Sequence, residues 1–286
     1  MAKTDYIELP GGECVAILYE DRSVLAIDKP PGWVVEAGDD APTLQQLQLG
    51  VREGIQRGWF WARCRNLKFL RFVHRLDLPT TGILLGVKSA GGVGPYSKLF
   101  SDRGVTKRYV AVVEGAPTRT EWACDEPLAP HPTQHGKHHV DRRLGKDAFT
   151  EFKVLAQSEG RALIEAAPRT GRTHQIRLHL LASGYPVVGD ALYGRPEPDG
   201  MLALRAVGLS YKDPFTQRVI RIRAPMEEFL KRFGFSGAVD EKPPRPSTPS
   251  GAPPPSKDQK GRKPSSPSSA ERLPATKASS SSPAEH

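Results

Sequence analysis

A change of composition near residue 240 limits how much of this chain can fold. Residues 241–286 contain 11 prolines and 11 serines, and Leu273 is their only large apolar residue. Such a segment cannot bury enough apolar surface to offset the entropy lost on ordering, so we predict a disordered, basic Pro/Ser-rich tail over residues 236–286. The fold must therefore be built from the residues that precede it.

The net charge favours an acidic partner. The chain has 41 basic and 32 acidic residues, a formal charge of +9, and nucleic acid is the first candidate for such a balance. Residues 241–286 hold 8 of the basic and 4 of the acidic residues, so nearly half of the net charge lies in the tail. The tail is either a solubilising extension or a weak, non-specific RNA tether.

Several classes of protein are disfavoured. No stretch approaches the roughly 18 apolar residues of a membrane helix, and the N-terminus lacks the zones of a signal peptide. Cys14, Cys64 and Cys124 are far apart and odd in number, which predicts neither a disulfide framework nor a zinc site. We expect a cytoplasmic protein with no membrane partner and no metal.

The first 240 residues alternate between short apolar runs and turn signals. Strands are predicted at residues 15–19, 24–28, 83–87, 109–114, 148–156, 162–166, 202–211 and 218–223. Helices are predicted at residues 96–103, 173–183 and 226–233, with Thr173 as the N-cap of the second and Gly184 just past its end. Because the strands come in neighbouring groups, we expect an α+β fold with a mixed, mostly antiparallel sheet flanked by helices and loops.

One predicted loop combines a carboxylate with basic residues. Residues 73–82 read VHRLDLPTTG and place Asp77 close to His74 and Arg75, immediately before a buried strand. Loops on a rigid sheet are where catalytic groups usually lie. From these residues alone, Asp77 could be a nucleophile, a general base or a residue that caps a turn.

A second segment is strongly basic. Residues 169–180 read RTGRTHQIRLHL and gather three arginines and two histidines at a glycine turn and the start of a predicted helix. Arginine side chains and the first amides of a helix together suit a phosphate group. The alternative is a solvated basic helix face.

Together these segments resemble the RluA-type pseudouridine synthase family of RNA-modifying enzymes. The HRLD at 74–77 with TTGILL at 80–85 resembles the family's signature, KRYVAVVEG at 107–115 its tyrosine motif, and GRTHQIR at 171–177 its arginine motif. Weaker likenesses occur in DKPPG at 28–32 and PVVGDALYG at 186–194. The motifs occur in the family's order over roughly residues 14–233.

The resemblance implies a domain organisation. We expect an N-terminal extension at 1–13, a catalytic domain of the pseudouridine synthase fold at 14–235 without an S4-like RNA-binding module, and the tail at 236–286. Two features depart from the family pattern: Arg205 stands where a histidine is common, and residues 91–95 are glycine-rich where relatives begin a helix. Both are interpreted as local variation.

The resemblance also implies the site. Asp77 would be the catalytic carboxylate and Arg177 its partner. Tyr109 would be the active-site tyrosine, which stacks on uracil and could assist proton removal at C5. RNA or substrate binding would fall to the residues beside them in the motifs, namely His74, Arg75, Arg172 and His174. The family's reaction isomerises uridine to pseudouridine without redox chemistry, and we expect no cofactor. Attack at C1′, attack at C6 and deprotonation at C2′ all remain open.

Two clusters outside the motifs invite other interpretations. Residues 59–61 read WFW and could form a base-stacking platform, although packing in the core or a lid is preferred. His131, His135, His138 and His139 could suggest a metal, but no cysteine or carboxylate completes a ligand set, and a solvated loop is preferred.

The predicted function is thus an RNA pseudouridine synthase, an isomerase that acts on structured RNA, with ribosomal and transfer RNA both open. One alternative is a non-catalytic RNA-binding or ribosome-assembly factor on the same scaffold. Another is a glycosidase, which would need a second carboxylate about 5–9.5 Å from the first. We expect a monomer.

Overall fold

The computed structural model describes residues 2–36 and 45–237. The predicted tail lies outside the described residues from position 238 onward. Within the described residues, no helix combines the length and the apolar character needed to cross a membrane.

Thirteen strands form within the described residues. They are β1 (Tyr6–Glu8), β2 (Cys14–Glu20), β3 (Val24–Lys29), β4 (Arg71–Phe72), β5 (Thr81–Val87), β6 (Val105–Glu114), β7 (Glu121–Cys124), β8 (Leu128–Pro130), β9 (His138–Val140), β10 (Thr150–Ser158), β11 (Arg161–Pro168), β12 (Leu204–Lys212) and β13 (Val219–Arg223). All eight predicted strands are present, with ends shifted by a few residues.

Most of these strands join one mixed sheet in the order β1-β2-β3-β5-β12-β6-β11-β10-β7, with β13 beside β12 and β4 beside β5. The ladders between these strands are antiparallel except that of β5 and β12. Strands β8 and β9 form a separate hairpin. The α+β class and the mixed, mostly antiparallel sheet are therefore confirmed. Part of the expected N-terminal extension contributes β1, whose Ile7 is fully buried.

The described helices are α1 (Leu47–Gln56), α2 (Phe60–Arg63), α3 (Ala90–Ser101), α4 (Gln175–Ala182) and α5 (Glu227–Arg232). The predicted start of α3 at Tyr96 is wrong, because the glycine-rich stretch and Pro95 lie inside the helix. Glycine and proline disfavour helix interiors, but Tyr96 is fully buried and a Cβ on Gly92 would come within 2.6 Å of Val87. Close packing against β5 therefore outweighs local propensity.

The predicted start of α4 is also wrong. Thr173 is not the N-cap, since the helix begins at Gln175 and His174 occupies the cap position in a left-handed conformation with φ of 55°. The other end is confirmed: Gly184, with φ of 88°, donates its N–H to the carbonyl of Leu181, and Tyr185 donates to that of Leu180. These two bonds form a Schellman motif, which ends the helix.

Strands β5 and β12 pair where the Asp77 loop enters β5. Arg205 pairs in register with Thr81, and Ala206 with Gly82. Gly82 has φ of +108°, and a Cβ there would come within 2.1 Å of the Ala206 carbonyl oxygen, so only glycine allows this approach. The loop that carries Asp77 is thereby held against the middle of the sheet.

Candidate active site

The three motifs converge on one open cavity of about 420 Å³. Six of the seven predicted site residues line it: Asp77, Tyr109, His74, Arg75, Arg172 and His174. The seventh, Arg177, is buried behind Asp77, with only 2% of its side chain exposed. Loops before β5 and α4 and a side chain of β6 thus meet in a single site.

Arg177 is shared by two carboxylates. Its Nε and Nη2 each donate to Asp190 over 2.7 Å, while its Nη1 reaches Asp77 Oδ2 over 3.4 Å. Burial lowers the pKa of the guanidinium, but the hydrogen bonds and charge of Asp190 and the charge of Asp77 outweigh burial and raise it. Arg177 is therefore a permanent cation next to Asp77.

Asp190 is the main partner of this arginine. Its Oδ1 also accepts the backbone N–H groups of Leu192 and Tyr193, at 3.0 and 3.1 Å. The ring of Tyr193 lies 5.0 Å from the guanidinium carbon of Arg177. Bidentate hydrogen bonds, backbone amides and an aromatic face thus fix the position of Arg177.

A buried lysine fastens the Asp77 loop. Lys29 is 1% exposed, and its Nζ donates to the carbonyl oxygens of Pro30, Leu78 and Thr80 at 2.9–3.0 Å. Burial lowers the pKa of its ammonium to about 8, an effect that the charge of Asp77 partly opposes. At neutral pH the ammonium keeps its three donors, two of which join β3 to the residues just after Asp77.

A neutral histidine holds the other side of the loop. The Nε2 atom of His74 accepts the backbone N–H of Leu85 over 2.9 Å, and its ring stacks on Phe100 with centroids 4.6 Å apart. Burial and the charge of Lys107 lower the pKa of His74 to about 3. Arg75 is exposed at the rim, where it donates to the hydroxyl of Thr173 over 3.3 Å.

Tyr109 reaches the cavity from β6. Burial, and then the charge of Asp77, raise the pKa of its phenol, so the hydroxyl stays protonated at neutral pH. Lys107, two residues earlier on the same strand, also lines the cavity and donates to the carbonyl of Thr170 over 2.7 Å. Burial lowers the pKa of Lys107 to about 8.

Gln175 shapes the turn that precedes α4. Its side-chain oxygen accepts from the backbone N–H of Arg172 and the hydroxyl of Thr170, and its amide nitrogen donates to Phe149 and Thr150. This buried side chain is fully satisfied and joins the turn to β10. Arg172 itself is exposed, with its Nε donating to the carbonyl of Asp147 over 2.9 Å.

His174 completes the cavity on the α4 side. Its Nδ1 lies 2.8 Å from the hydroxyl of Tyr193, and its ring contacts that of His138 with centroids 5.6 Å apart. Burial lowers its pKa to about 4, with the charges of Asp77 and Arg177 acting in opposite directions. His174 is therefore neutral at physiological pH.

The other sequence clusters have separate outcomes. In the WFW segment, Trp61 is 1% exposed and packs in the core near β1 and α1, Trp59 packs against the same core, and Phe60 is 44% exposed. Core packing, the preferred interpretation, is thus confirmed for the two tryptophans. Within the described residues, no group of three or more His, Cys, Asp or Glu side chains is arranged to hold a metal ion.

Sequence reasoning missed four residues that support the site: Lys29, Gln175, Asp190 and Tyr193. Each lies inside a segment that carries the family resemblance, which was the available signal. Arg205, interpreted as local variation, binds both carboxylate oxygens of Asp28 at 3.0 and 2.6 Å and so joins β12 to β3.

Comparisons with known proteins identify the family of this chain. A family model described as "RNA pseudouridylate synthase" matches residues 23–182. The chain is similar to ribosomal large subunit pseudouridine synthase C of Escherichia coli (strain K12), with 35% identity over 76% of this chain and 68% of the relative. The corresponding protein of Yersinia pestis is 34% identical over 75% and 67% of the two chains.

Solved structures with this fold are also similar. Human RNA pseudouridylate synthase domain containing 1 matches with a TM-score of 0.58 and 25% identity, over 74% of this chain and 83% of that one. Human RNA pseudouridylate synthase domain containing 4 matches with a TM-score of 0.59 and 23% identity, over 76% of this chain and 92% of that one. This likeness supports the fold alone. The chain therefore belongs to the RNA pseudouridylate synthase family, and it is an isomerase that acts on RNA.

Proposed function

We propose that Asp77 is the carboxylate with which this enzyme converts uridine in RNA to pseudouridine. The observation that carries the proposal is the position of Asp77: it lines the cavity, 17% of its side chain is exposed, and its Oδ2 faces an arginine that another residue already holds. A carboxylate with a fixed cation behind it and open space before it can react with a bound nucleoside.

The reaction breaks the N1–C1′ bond, turns the base, joins C5 to C1′ and releases the C5 hydrogen as a proton, while N1 gains a proton. An ionised carboxylate can attack C1′, attack C6 or remove a proton from C2′, and each route needs Asp77 beside the nucleoside. A base must leave its stack to enter such a cavity. We therefore propose that the target uridine is flipped out of the RNA and bound between Asp77 and Tyr109.

The remaining residues would divide the work of binding. Tyr109 is a phenol rather than a phenolate, so it would contribute its ring face and a neutral hydroxyl near the uracil. Arg75 and Arg172 are exposed at the rim and would contact phosphates or fill the space the base leaves. His74 and His174 are neutral and would contact the nucleoside without adding charge.

We propose large-subunit ribosomal RNA as the substrate. The support is the similarity of this chain to ribosomal large subunit pseudouridine synthase C of two bacteria. Action as a monomer in the cytoplasm stays a prediction from the sequence.

Release of tritium tests both parts of the proposal. Full-length wild type, Asp77→Asn and the exposed control Asp125→Asn are incubated with 5-tritiated uridine in large-subunit ribosomal RNA or in transfer RNA. We expect release from ribosomal RNA by wild type and Asp125→Asn, and none by Asp77→Asn. Equal release by Asp77→Asn would overturn its role, and release from transfer RNA alone would overturn the proposed substrate.

A further inference from the structure

The hydroxyl of Tyr193 lies between two histidines. Its Oη accepts the backbone N–H of His138 in β9 over 2.8 Å, and it lies 2.8 Å from Nδ1 of His174. Tyr193 is outside the residues that line the cavity, whereas His174 is one of them. The tyrosine therefore acts on the cavity only through its neighbours.

These contacts favour one placement of the hydrogens, although the roles of Tyr193 and His174 as donor and acceptor depend on the tautomer of the ring. Oη accepts from His138 and still carries one hydrogen to donate, and the described residues offer that hydrogen one acceptor within reach, Nδ1 of His174. A half-buried hydroxyl whose hydrogen has no acceptor loses a stabilising bond. His174 is neutral, so when Nδ1 accepts, the ring hydrogen is on Nε2.

Three further features keep this arrangement rigid. The Tyr193 ring lies against the guanidinium of Arg177, and its backbone N–H donates to Asp190. His174 has a left-handed backbone, an unusual conformation for a residue other than glycine and one often found at functional sites.

Within the described residues, Nε2 of His174 makes no hydrogen bond, so this donor is free in a residue that lines the cavity.

We propose that Tyr193 is a positioning residue that fixes His174 in the tautomer with hydrogen on Nε2, so that the cavity offers a neutral donor to a carbonyl oxygen of uracil. This proposal rests on the proposed function, since it assumes a uridine beside Asp77. A neutral donor suits this base, because the uracil ring is uncharged and carries two carbonyl acceptors. Tyr193 thus contacts both Arg177, which faces Asp77, and His174, which would recognise the base.

The tautomer can be measured in the free enzyme by two-bond ¹H–¹⁵N NMR of the histidine rings. We expect His174 in wild type to show a protonated Nε2 and an unprotonated Nδ1 that accepts a hydrogen bond. In Tyr193→Phe, which keeps the ring against Arg177, the Nδ1 signal should shift towards that of a mixture of tautomers. The control is Tyr185→Phe, a half-buried tyrosine whose hydroxyl has no hydrogen bond within the described residues.

Single-turnover kinetics then test the effect on the reaction. Tyr193→Phe should lower the rate constant about tenfold, the size expected for one hydrogen bond, while Tyr185→Phe leaves it unchanged. In a His174→Ala background, Tyr193→Phe should change the rate less than about twofold, because the two residues act as a pair.

Two results would overturn the proposal. The first is a ring hydrogen on Nδ1 of His174 in the wild-type enzyme, which is measured without substrate and does not depend on activity. The second is a Tyr193→Phe effect that is equally large with and without His174. Inactivity of the wild type towards every RNA would instead contradict the proposed function.

Discussion

Arg177 binds two aspartates that differ in almost every respect. Asp190 is 1% exposed and accepts two arginine N–H groups and two backbone amides. Asp77 is 17% exposed and accepts a single, long hydrogen bond from the same guanidinium. The fold thus buries one carboxylate against the arginine and two backbone amides, and leaves the other where it can meet a substrate.

The difference shows how a buried cation can support a reactive carboxylate. A guanidinium held by Asp77 alone would need that carboxylate to compensate its burial, and the pair would be tied together. Because Asp190 already supplies the bidentate contact, Arg177 stabilises negative charge on Asp77 while leaving most of its oxygen surface free. We infer that Asp190 serves stability and Asp77 serves catalysis.

The largest expected effect on stability is that of Asp190→Asn. Removing this charge leaves Arg177 buried without its main partner, so the free energy of unfolding should fall by about 3–5 kcal/mol. Denaturant unfolding followed by circular dichroism measures this loss, with Asp125→Asn as the control. A loss below about 1 kcal/mol would show that Asp190 does not carry the arginine.

Arg177→Lys should lower the reaction rate, and in free energy this effect should be smaller than that of Asp190→Asn on stability. An ammonium keeps the charge but cannot bind Asp190 with a planar fork and reach Asp77 as well. We expect the single-turnover rate constant to fall about 10²-fold, or roughly 2.7 kcal/mol in activation free energy. The exposed Arg52→Lys is the matched control. A rate within threefold of wild type would mean that the fork is dispensable.

Acid should lower the free energy of unfolding through His74, which holds the loop that carries Asp77. The pKa of His74 is about 3 in the folded protein against an ordinary value of 6.5, so the unfolded chain binds the proton more readily between these values. Stability therefore falls as pH drops below about 6.5, by about 2 kcal/mol between pH 7 and pH 5 from this group. His74→Gln, which can still accept from Leu85, should reduce that slope. An unchanged slope would contradict the buried, neutral state of His74.

How much of the fold and of the candidate site could be predicted from the sequence depended on how far apart in sequence the interacting residues are. The α+β class followed from short-range patterns, and Asp77, Tyr109 and Arg177 were selected by the resemblance of their segments to the family's motifs. The resemblance marked the segments that contain Lys29 and Asp190, but not their contacts, because Lys29 bonds to carbonyls 49 and 51 residues away and Asp190 accepts from an arginine in α4.

The wrong helix starts have the same physical origin. Glycine and Pro95 predicted an interruption, yet close packing of Gly92 against β5 extends α3 through them. Thr173 has good N-cap chemistry, but its hydroxyl accepts from Arg75, a residue far away in sequence. In both places, tertiary contacts outweigh a local preference.

The most direct test compares Asp77→Asn with Asp190→Asn in two assays, unfolding free energy and single-turnover rate, at a temperature where both variants are folded. The account predicts opposite outcomes. Asp77→Asn should lose at least about 10³-fold in rate, in the range for removal of an essential catalytic group, and keep its unfolding free energy within about 1 kcal/mol of wild type. Asp190→Asn should lose stability but retain measurable turnover. An Asp77→Asn enzyme that reacts within tenfold of the wild-type rate would contradict the central claim.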